Sequence, residues 1–365
     1  MTMRAIARQR LQNQSITGEP RRGVADLVAW LGAVQAQEYP AAKWGLALRL
    51  GEGTTDAEIE KAFDAGRILR THVMRPTWHF VTPLDIRWML ELTAPRVHRR
   101  MAPYNRHLEL DAAILTRATV VFERALRDGR HLTRGELASC LARAGIAATG
   151  QRLAHIALHA ELEGVICSGP RRGTQFTYAL LADRAPRARR LSRDEALAEL
   201  TRRYFRSHGP ATIRDFVWWS GLLTADARKG LEMNRARHEA IGTRTYWSLG
   251  RTARAAARHG AVQLLPIYDE YLVAYQDRDA VPHWWSAAQS ASGRTVSFQH
   301  ALVIDGEVAG TWRSVRTSDR VTVDLVAARR MTATEKRGLA EASDRYGRFL
   351  DAPVSLSLPR ATRLT

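Results

Sequence analysis

The stretch "LTRGELASCLARAGIAATGQRLAHIALHAELEGVICSGPRRGTQFTYALL", residues 132–181, predicts a complete folding unit in its local order of elements. A capping-box pattern, Thr133 with Glu136, starts a helix over 132–146, and a second helix with its own apolar face follows over 149–166. Two short strands then enclose the glycine-rich, basic tip "SGPRRG". Two helices followed by such a hairpin predict a helix-turn-helix with a wing.

The segment before this stretch follows the same plan. Apolar residues recur at helical spacing over 23–37, and Pro40 prevents this helix from continuing. A short helix follows over 55–65, and "ILRTHVM" with "TWHFV" predicts a β-hairpin. Because helix, helix and hairpin come in the order of a winged helix, we predict winged-helix units at 1–115 and 116–190.

The segment after the stretch follows the plan less closely. "RDEALAELTRRYFRSHGPATIRDFVWWSGL" predicts two helices around a turn at His208-Gly209-Pro210. "TADARKGLEMNRARHEA" predicts that a helix continues through this segment, and "TRTYWSLG" predicts a strand. We therefore predict a third, looser winged-helix-like unit at 191–258, which follows an arginine-rich linker.

From about Ala261 the apolar pattern changes to a period of two, which is typical of strands. Three such segments follow, with a tight turn at Asp305-Gly306, and "TATEKRGLAEASDRYGRFL" predicts one helix. We predict a β-rich, barrel-like domain with one helix at 259–365. The fold class is therefore α+β, with tandem winged-helix units followed by a small β-barrel-like domain.

The charge of the chain indicates a polyanionic partner. Lys and Arg number 55 against 37 Asp and Glu, which gives a net charge of +18 over 365 residues. Arginine forks fit phosphate oxygens and guanine edges. A GC-rich genome would explain the choice of Arg over Lys, but it does not explain the excess of positive charge. We therefore expect nucleic-acid binding.

The remaining composition excludes several classes of protein. With Cys140 and Cys167 as its only cysteines, the chain has neither a disulfide framework nor a Cys-rich zinc site. It shows no N-terminal export signal and no stretch as long as a membrane span. We expect a soluble, cytoplasmic, nucleoid-associated protein that binds no membrane.

The common motifs for cofactors and metals are also missing from the sequence. Neither a Walker loop nor G-x-G-x-x-G occurs, and no Gly-x-Ser-x-Gly elbow is present. His155 and His159 lie four apart on one helix, as zinc ligands can, but "HIALH" lacks the glutamate of H-E-x-x-H. A polar helix face near DNA explains these histidines better, so we expect no metal and no cofactor.

The segment "GAVQAQEYP", residues 32–40, places two glutamines at the end of the first helix. Gln35 lies on the apolar stripe, and Gln37 falls on the other side of a regular helix. The two can reach one pocket only if the helix frays or tightens there. Gln35 is then either a buried structural amide or a pocket residue that holds a water and a ligand.

Two further segments allow both a structural and a functional interpretation. "MRPTWH" places Arg75, Trp78 and His79 beside the first hairpin turn, where Trp78 is a core aromatic or a DNA contact. "LLPIYDEYLVAY" is most simply a core strand, with Asp269 and Glu270 in or near a turn.

Four segments resemble one known family: "VQAQEYPAAKWGLALR", "THVMRPTWHFV", "LLPIYDEYL" and "DGEVAGTWR". They are similar, in the same order, to the winged-helix family of bacterial DNA glycosylases typified by AlkZ, also known as HTH_42. The resemblance covers essentially the whole chain. AlkZ-like members carry a Gln-Φ-Gln motif, in which Φ is aliphatic, whereas YcaQ-like members carry Gln-Φ-Asp. Gln35-Ala36-Gln37 matches the AlkZ-like branch.

The resemblance implies a reaction and the residues that perform it. Such proteins excise bulky or crosslinking N7-alkylguanine and N3-alkyladenine adducts, and many relatives confer self-resistance to a DNA-alkylating natural product. Gln35 and Gln37 are the implied catalytic residues. A base made cationic by alkylation leaves without protonation, so a glutamine that positions a water is sufficient. We therefore expect a monofunctional DNA glycosylase.

The expected partner is double-stranded DNA that carries alkylated purines, bound by a monomer because one chain already holds three wings. The side chains that we predict to contact DNA flank the first hairpin, the second wing and the β-rich domain: Arg75, Trp78, His79, Arg171, Arg172, Arg294 and His300. The alternative is a non-enzymatic winged-helix transcriptional regulator, which would bind undamaged promoter DNA sequence-selectively.

Overall fold

The computed structural model describes residues 2–250, 260–277, 279–281, 299–317 and 320–357. Within these residues the chain forms a mixed arrangement of helices and several small sheets. No helix in the described ranges is long and apolar enough to cross a membrane.

The N-terminal part carries a three-stranded sheet between helices. Its elements are α1 (Met3–Asn13), α2 (Val24–Leu31), β1 (Val34–Gln35), α3 (Tyr39–Ala47), α4 (Asp56–Asp64), β2 (Leu69–His72), β3 (Trp78–Val81) and α5 (Ile86–His107). The strands pair antiparallel in the order β1-β3-β2. The predicted short helix and hairpin are confirmed, and Thr55 with Glu58 forms the capping box of α4.

The prediction of one helix over 23–37 is wrong in its C-terminal half. Helix α2 ends at Leu31 because Gly32 takes a φ of 87°, a conformation that L side chains rarely adopt. A Cβ at Gly32 would also lie 3.3 Å from the Cη2 atom of Trp219. The chain then becomes extended and pairs as β1 with β3. This turn places Gln35 on the strand and Gln37 two residues after it.

The second part repeats this order of elements and confirms the helices and hairpin predicted over 132–181. Its elements are α6 (Ala112–Ala125), β4 (Leu132–Thr133), α7 (Arg134–Arg143), α8 (Gly150–Leu162), β5 (Ile166–Ser168), β6 (Thr177–Leu180) and a short α9 (Leu181–Arg184). The strands pair antiparallel in the order β4-β6-β5. Thr133 and Glu136 form the predicted capping box.

The third part has a similar order with a smaller sheet. Its elements are α10 (Arg193–Ser207), α11 (Ile213–Ser220), α12 (Thr224–Met233), β7 (Arg237–Ile241) and β8 (Arg244–Ser248). The predicted helical continuation to Ala240 is wrong, because α12 ends at Met233 and the chain turns back as a hairpin. Arg235 takes a positive φ of 48° after the helix, and Gly242, with a φ of 60°, allows the tight turn between the two strands.

The C-terminal part is an open sheet and not a barrel. Its elements are β9 (Val262–Leu265), α13 (Glu270–Val273), β10 (Ala301–Ile304), β11 (Glu307–Arg316), β12 (Val321–Ala327), α14 (Ala333–Leu350) and β13 (Val354–Ser357). The strand order is β13-β12-β11-β10-β9, so the two edge strands lie at opposite ends and do not close the sheet. The turn predicted at Asp305-Gly306 and the single long helix are confirmed.

The β-barrel-like prediction was therefore wrong, and the reason lies in how one sheet edge is covered. The indole Nε1 of Trp44, from α3, donates to the Leu264 carbonyl of edge strand β9 at 2.7 Å. An edge that another element covers needs no closure to be protected from foreign strands. Alternation of apolar residues predicted the strands, but it carries no information about closure.

The described apolar side chains form clusters that cross the predicted domain limits. One cluster joins the N-terminal elements to the C-terminal sheet, and a second joins β2, β3 and α5 to α10 and α11 and also contains Leu158 and Leu162 of α8. A third cluster lies within residues 110–166 and contains Phe122 and Leu141. The second part thus has a core cluster of its own, but its helix α8 also packs into the cluster of the N-terminal part.

Candidate active site beside the first hairpin

The two glutamines lie at the edge of the first three-stranded sheet. Gln35 pairs with His79 in the β1–β3 register, and Gln37 lies two residues later, in a bend before α3. Its side chain accepts from the N–H of Trp78, which precedes His79 in β3. The glutamine motif therefore runs along β3 as a strand followed by a bend, and not on the helix that the apolar spacing predicted.

Gln35 is buried and held at two points. Its backbone N–H donates to Oε1 of Glu270 at 2.8 Å, and its side-chain Oε1 accepts from Nη2 of Arg75 at 3.0 Å. Its side-chain Nε2 makes no hydrogen bond with the described residues. Because an amide carbonyl has two lone pairs, Oε1 retains a second acceptor position. One end of the amide is thus fixed, and the other is available to a ligand.

Gln37 differs from Gln35 in its exposure. It is exposed, and its Oε1 accepts only a long hydrogen bond of 3.4 Å from the Trp78 N–H. Between the glutamines, Ala36 is fully buried, with its N–H donating to the Trp78 carbonyl at 2.7 Å and its carbonyl accepting from Nε of Arg70 at 3.0 Å. The backbone of the motif is therefore fixed, while the Gln37 side chain can turn toward a ligand.

A buried carboxylate, Glu270, holds strand β1 through the Gln35 N–H. Oε2 of Glu270 accepts from the indole Nε1 of Trp219 at 3.0 Å and lies 3.4 Å from Nε2 of His208. Burial raises the pKa of Glu270, but His208 and the Gln35 N–H outweigh it, so the pKa lies below its usual value. Burial lowers the pKa of His208. Glu270 is therefore an anion at neutral pH, and its exposed fraction is only 1%.

Arg75 reaches Gln35 from a tight turn between β2 and β3. Met74 takes a positive φ of 64°, and the N–H of Arg75 donates to the Val73 carbonyl at 2.6 Å. A Cβ at Gly221 would lie 2.5 Å from the Met74 carbonyl oxygen, so the close approach of this turn requires glycine there. Burial lowers the pKa of Arg75, which Glu270 opposes. Arg75 thus connects Gln35 to the turn between β2 and β3.

His79 is fully buried beside the same turn. Its Nδ1 lies 2.8 Å from the Thr77 carbonyl, and its Nε2 is buried without a hydrogen-bond partner among the described residues. Burial, reinforced by the charge of Arg75, lowers the pKa of His79 to about 3, so the ring is neutral at physiological pH. Its position gives no support to the prediction of a direct DNA contact.

Trp78 joins the glutamine segment to the second part of the chain. The guanidinium of Arg70 lies 4.1 Å from the centre of the Trp78 ring, and the His72 ring lies 4.5 Å from it. His72 in turn contacts the buried carboxylate of Glu161, which belongs to α8. Trp78 is half-buried in this stack, so both predicted roles, core aromatic and ligand contact, are compatible with its position.

Comparison with known proteins tests the family resemblance that the sequence showed. A family model described as DNA glycosylase AlkZ-like matches residues 28–349.

This chain belongs to the AlkZ-like DNA glycosylase family.

One sequence match and one structural match, both from Streptomyces sahachiroi, extend the comparison. An interstrand DNA cross-link repair glycosylase is 26% identical over 341 residues, which cover 86% of this chain and 88% of the relative. The solved structure of the DNA glycosylase AlkZ is similar in fold, with a TM-score of 0.79 at 22% identity, and the match covers 98% of this chain and 100% of that one. The resemblance found in the sequence is confirmed.

The arginines predicted at the second wing are not free in this AlkZ-like chain. Arg171 donates from Nη2 to the Thr174 carbonyl at 2.7 Å, and its guanidinium lies 4.3 Å from the centre of the Phe176 ring. Arg172 donates from Nη1 to Oε1 of Glu136 at 2.8 Å, with its side chain still 53% exposed. Both side chains brace the tip of the hairpin, and only Arg172 retains an exposed cation.

The two remaining predicted contacts lie away from the glutamines in sequence. Arg294 lies outside the described residues. His300 precedes β10, where its Nδ1 accepts from the Ile267 N–H at 3.2 Å and its ring centre lies 4.8 Å from that of Trp312. Burial lowers the pKa of His300. It supports the loop before Glu270 and makes no hydrogen bond with either glutamine.

Three residues of the site were not predicted from the sequence: His208, Trp219 and Glu270. They come from segments about 170 to 235 positions after the glutamines. Glu270 lies in "LLPIYDEYL", one of the segments that carry the resemblance, but it was assigned to a turn of a core strand. The structure instead has a helical turn, α13, capped by Asp269, whose side chain accepts from the Tyr271 N–H at 2.9 Å. That cap turns Glu270 toward Gln35.

Proposed function

We propose that this chain is a monofunctional DNA glycosylase that hydrolyses the N-glycosidic bond of N7-alkylguanine and N3-alkyladenine in duplex DNA. The observation that carries the proposal is the pair Gln35 and Gln37 at the edge of the first sheet, with Gln35 oriented by Arg75 and Glu270 in an AlkZ-like chain. No metal or cofactor is needed for this reaction.

The chemistry explains why neutral amides are sufficient. Alkylation at N7 of guanine or N3 of adenine makes the base cationic, so it leaves without being protonated. Positive charge then develops on the sugar, and a water must be held beside it. The free acceptor position on Oε1 of Gln35 and the loosely bound amide of Gln37 supply that water site, while the Nε2 groups donate to the sugar or a phosphate.

Glu270 is assigned a supporting role and not that of a general base. Its oxygens are occupied by the Gln35 N–H, the Trp219 indole and the neighbouring His208, and the side chain is buried. A water that attacks the sugar would have no direct access to it. Its charge instead fixes strand β1 and compensates the nearby Arg75. Because the site then has no general base, it suits only labile substrates whose base is already cationic.

The exposed position of Gln37 supports bulky and crosslinking adducts as substrates. A crosslinked base cannot be extruded completely into a pocket. A side chain at the surface, such as Gln37, can still reach the sugar of such a nucleotide. A relative described as an interstrand DNA cross-link repair glycosylase acts on such lesions. We extend the proposal to self-resistance against a DNA-alkylating natural product.

The wider organisation is part of the same proposal. The repeated order of helix, helix and hairpin supports three winged-helix units at 1–115, 116–190 and 191–258, with a β-rich domain after them. Several wings in one chain span a DNA site without a partner subunit, so we propose a monomer in the bacterial cytoplasm, associated with the nucleoid.

The test is release of N7-methylguanine from a defined DNA duplex under single-turnover conditions. Wild-type protein should release the base and leave an abasic site without cleaving the strand. Sequence-selective binding to undamaged DNA with no base release would instead identify a transcriptional regulator and end the glycosylase proposal. A DNA duplex with a crosslinked N7-alkylguanine, compared in the same assay, tests the extension to bulky lesions separately.

A further inference from the structure

Two helices meet at a group of metal-binding side chains away from the glutamines. His98 lies on α5, His159 lies on α8, and Glu163 follows the last residue of α8. Each offers one ligand atom, and these atoms all lie within 4.8 Å of one another. His159 and Glu163 are four residues apart, which places both on one side of the helical turn. None of the three makes a hydrogen bond with Gln35 or Gln37.

The contacts within this group leave one buried nitrogen, Nδ1 of His159, without a hydrogen-bond partner among the described residues. Nε2 of His98 lies 3.0 Å from Oε1 of Glu163, and the ring centres of His98 and His159 are 5.2 Å apart in an edge-to-face arrangement. Burying a polar atom without a partner is unfavourable, and an imidazole lone pair in that position is available to a ligand.

The donor set selects the class of ion. Two imidazoles and one carboxylate suit Zn²⁺ and similar divalent transition metals, whereas Mg²⁺ and Ca²⁺ prefer oxygen ligands. Bonds of about 2.1 Å in a tetrahedron place ligand atoms roughly 3.4 Å apart. The His98–Glu163 separation of 3.0 Å is already close to that, and the other separations of at most 4.8 Å need only side-chain rotation. The side chains of His98 and Glu163 are 29% and 48% exposed, so water can reach the group.

We propose that His98, His159 and Glu163 bind a divalent transition-metal ion, with Zn²⁺ as the fitting ion and water as its fourth ligand. The ion joins α5, which packs with the N-terminal part, to α8, which belongs to the part with its own core cluster. It therefore acts as a clamp between two parts of the chain. This inference goes beyond base excision and requires no metal in that reaction.

The experiment uses the full-length protein after treatment with EDTA and removal of the chelator. Calorimetric titration with ZnCl₂ should show about one equivalent bound, and thermal unfolding with excess Zn²⁺ should rise by roughly 2 °C or more. Co²⁺ should give the visible absorption of a tetrahedral site with nitrogen and oxygen ligands. Mg²⁺ at the same concentration should leave the unfolding temperature unchanged.

Variants assign the binding to these three residues. His98→Ala and Glu163→Gln should each abolish the Zn²⁺-dependent rise, and near-ultraviolet circular dichroism should show that both are folded. The matched control is His155→Ala, because His155 also bridges α8 to α5, through Nδ1 to Oδ1 of Asn105 at 2.7 Å, but lies outside the group. That variant should keep the full rise.

Three outcomes would overturn the proposal. Wild-type protein that shows neither the heat of one equivalent nor a thermal shift has only a surface hydrogen bond between His98 and Glu163. A shift that survives in His98→Ala and Glu163→Gln places the ion elsewhere on the chain. An equal shift with Mg²⁺ contradicts the ligand chemistry.

Discussion

The N-terminal part and the part after residue 110 have the same order of helices and strands but very different surroundings. In the N-terminal part, β1 carries Gln35 and is supported by Glu270, which is 235 residues away in the chain. In the second part, the corresponding strand β4 consists of Leu132 and Thr133, and Thr133 serves as the N-cap of α7. This part also has a core cluster of its own, although α8 packs against the N-terminal part as well. The same order of helices and strands therefore forms a candidate active site only where segments distant in the chain supply polar side chains.

The largest expected effect concerns the core cluster of the second part. Phe122→Ala should lower the free energy of unfolding of the second part by about 3–5 kcal/mol, since Phe122 is fully buried in its cluster. Hydrogen exchange should show lost protection in α6 and α7, while β1 and β3 keep theirs. Equal loss of protection in β1 would show that the two parts unfold together and would break the comparison.

The glutamines should separate activity from stability. Gln37→Ala should lower the single-turnover rate of N7-methylguanine release by roughly a hundredfold or more, because a positioned group is lost, with unfolding almost unchanged since Gln37 is exposed. Gln35→Ala should lower the rate similarly and also cost about 1–3 kcal/mol of stability, since Arg75 loses its buried partner. Gln175→Ala, an exposed glutamine at the second hairpin tip, is the matched control and should change neither.

A sharper variant exchanges the motif of one branch for that of the other. Gln37→Asp should keep most of the activity on N7-methylguanine, because a carboxylate holds a water and offsets the charge on the sugar. On bulkier adducts the shorter side chain withdraws that water, so the rate ratio of bulky to methyl substrate should fall. Complete inactivity on both substrates would show that the amide group itself is required and would contradict the water-holding role.

Acid should destabilise the N-terminal part through the buried His79. His79 has its pKa lowered to about 3, so the unfolded chain binds a proton below about pH 6.5 that the folded chain excludes. Stability is therefore fully present above about pH 6.5 and declines as the pH falls. Between pH 6.5 and 5 the loss from this group is about 2 kcal/mol. Urea unfolding at the two pH values measures it.

A variant isolates the contribution of this histidine. His79→Asn keeps a donor for the Thr77 carbonyl but cannot titrate, so it should lose less stability between pH 6.5 and 5 than wild type does. Identical pH dependence in both proteins would assign the titration to other buried histidines, such as His208.

The smallest expected effect belongs to the second hairpin tip. Arg172→Ala should reduce the slope of log K against log salt for duplex DNA by about 0.9 if this exposed cation contacts one phosphate. It should change stability little, because the lost pair with Glu136 is exposed to solvent. Binding should weaken equally on all sequences. An unchanged salt slope would leave Arg172 with its bracing role alone.

Local pattern determined much of this protein. The capping boxes at Thr55 and Thr133 and the hairpin after α4 are fixed by residues close together in the chain, so they were predictable. The end of α2 was not predicted, because the apolar spacing continued past Gly32 and only the φ of 87° and the nearby Trp219 show why the helix stops there. The glutamines were identified by resemblance to a family and not by their spacing.

By itself, then, the sequence determined the order of helices and hairpins, the basic charge and the glutamine motif, since each depends on composition or on neighbours within a few residues. The tertiary structure alone decided that the C-terminal sheet stays open, with Trp44 on its edge strand β9, and that Glu270 reaches Gln35. The physical reason is the same in both cases. Packing between segments far apart in the chain decides which buried donor meets which acceptor. A local sequence pattern holds no information about such long-range contacts.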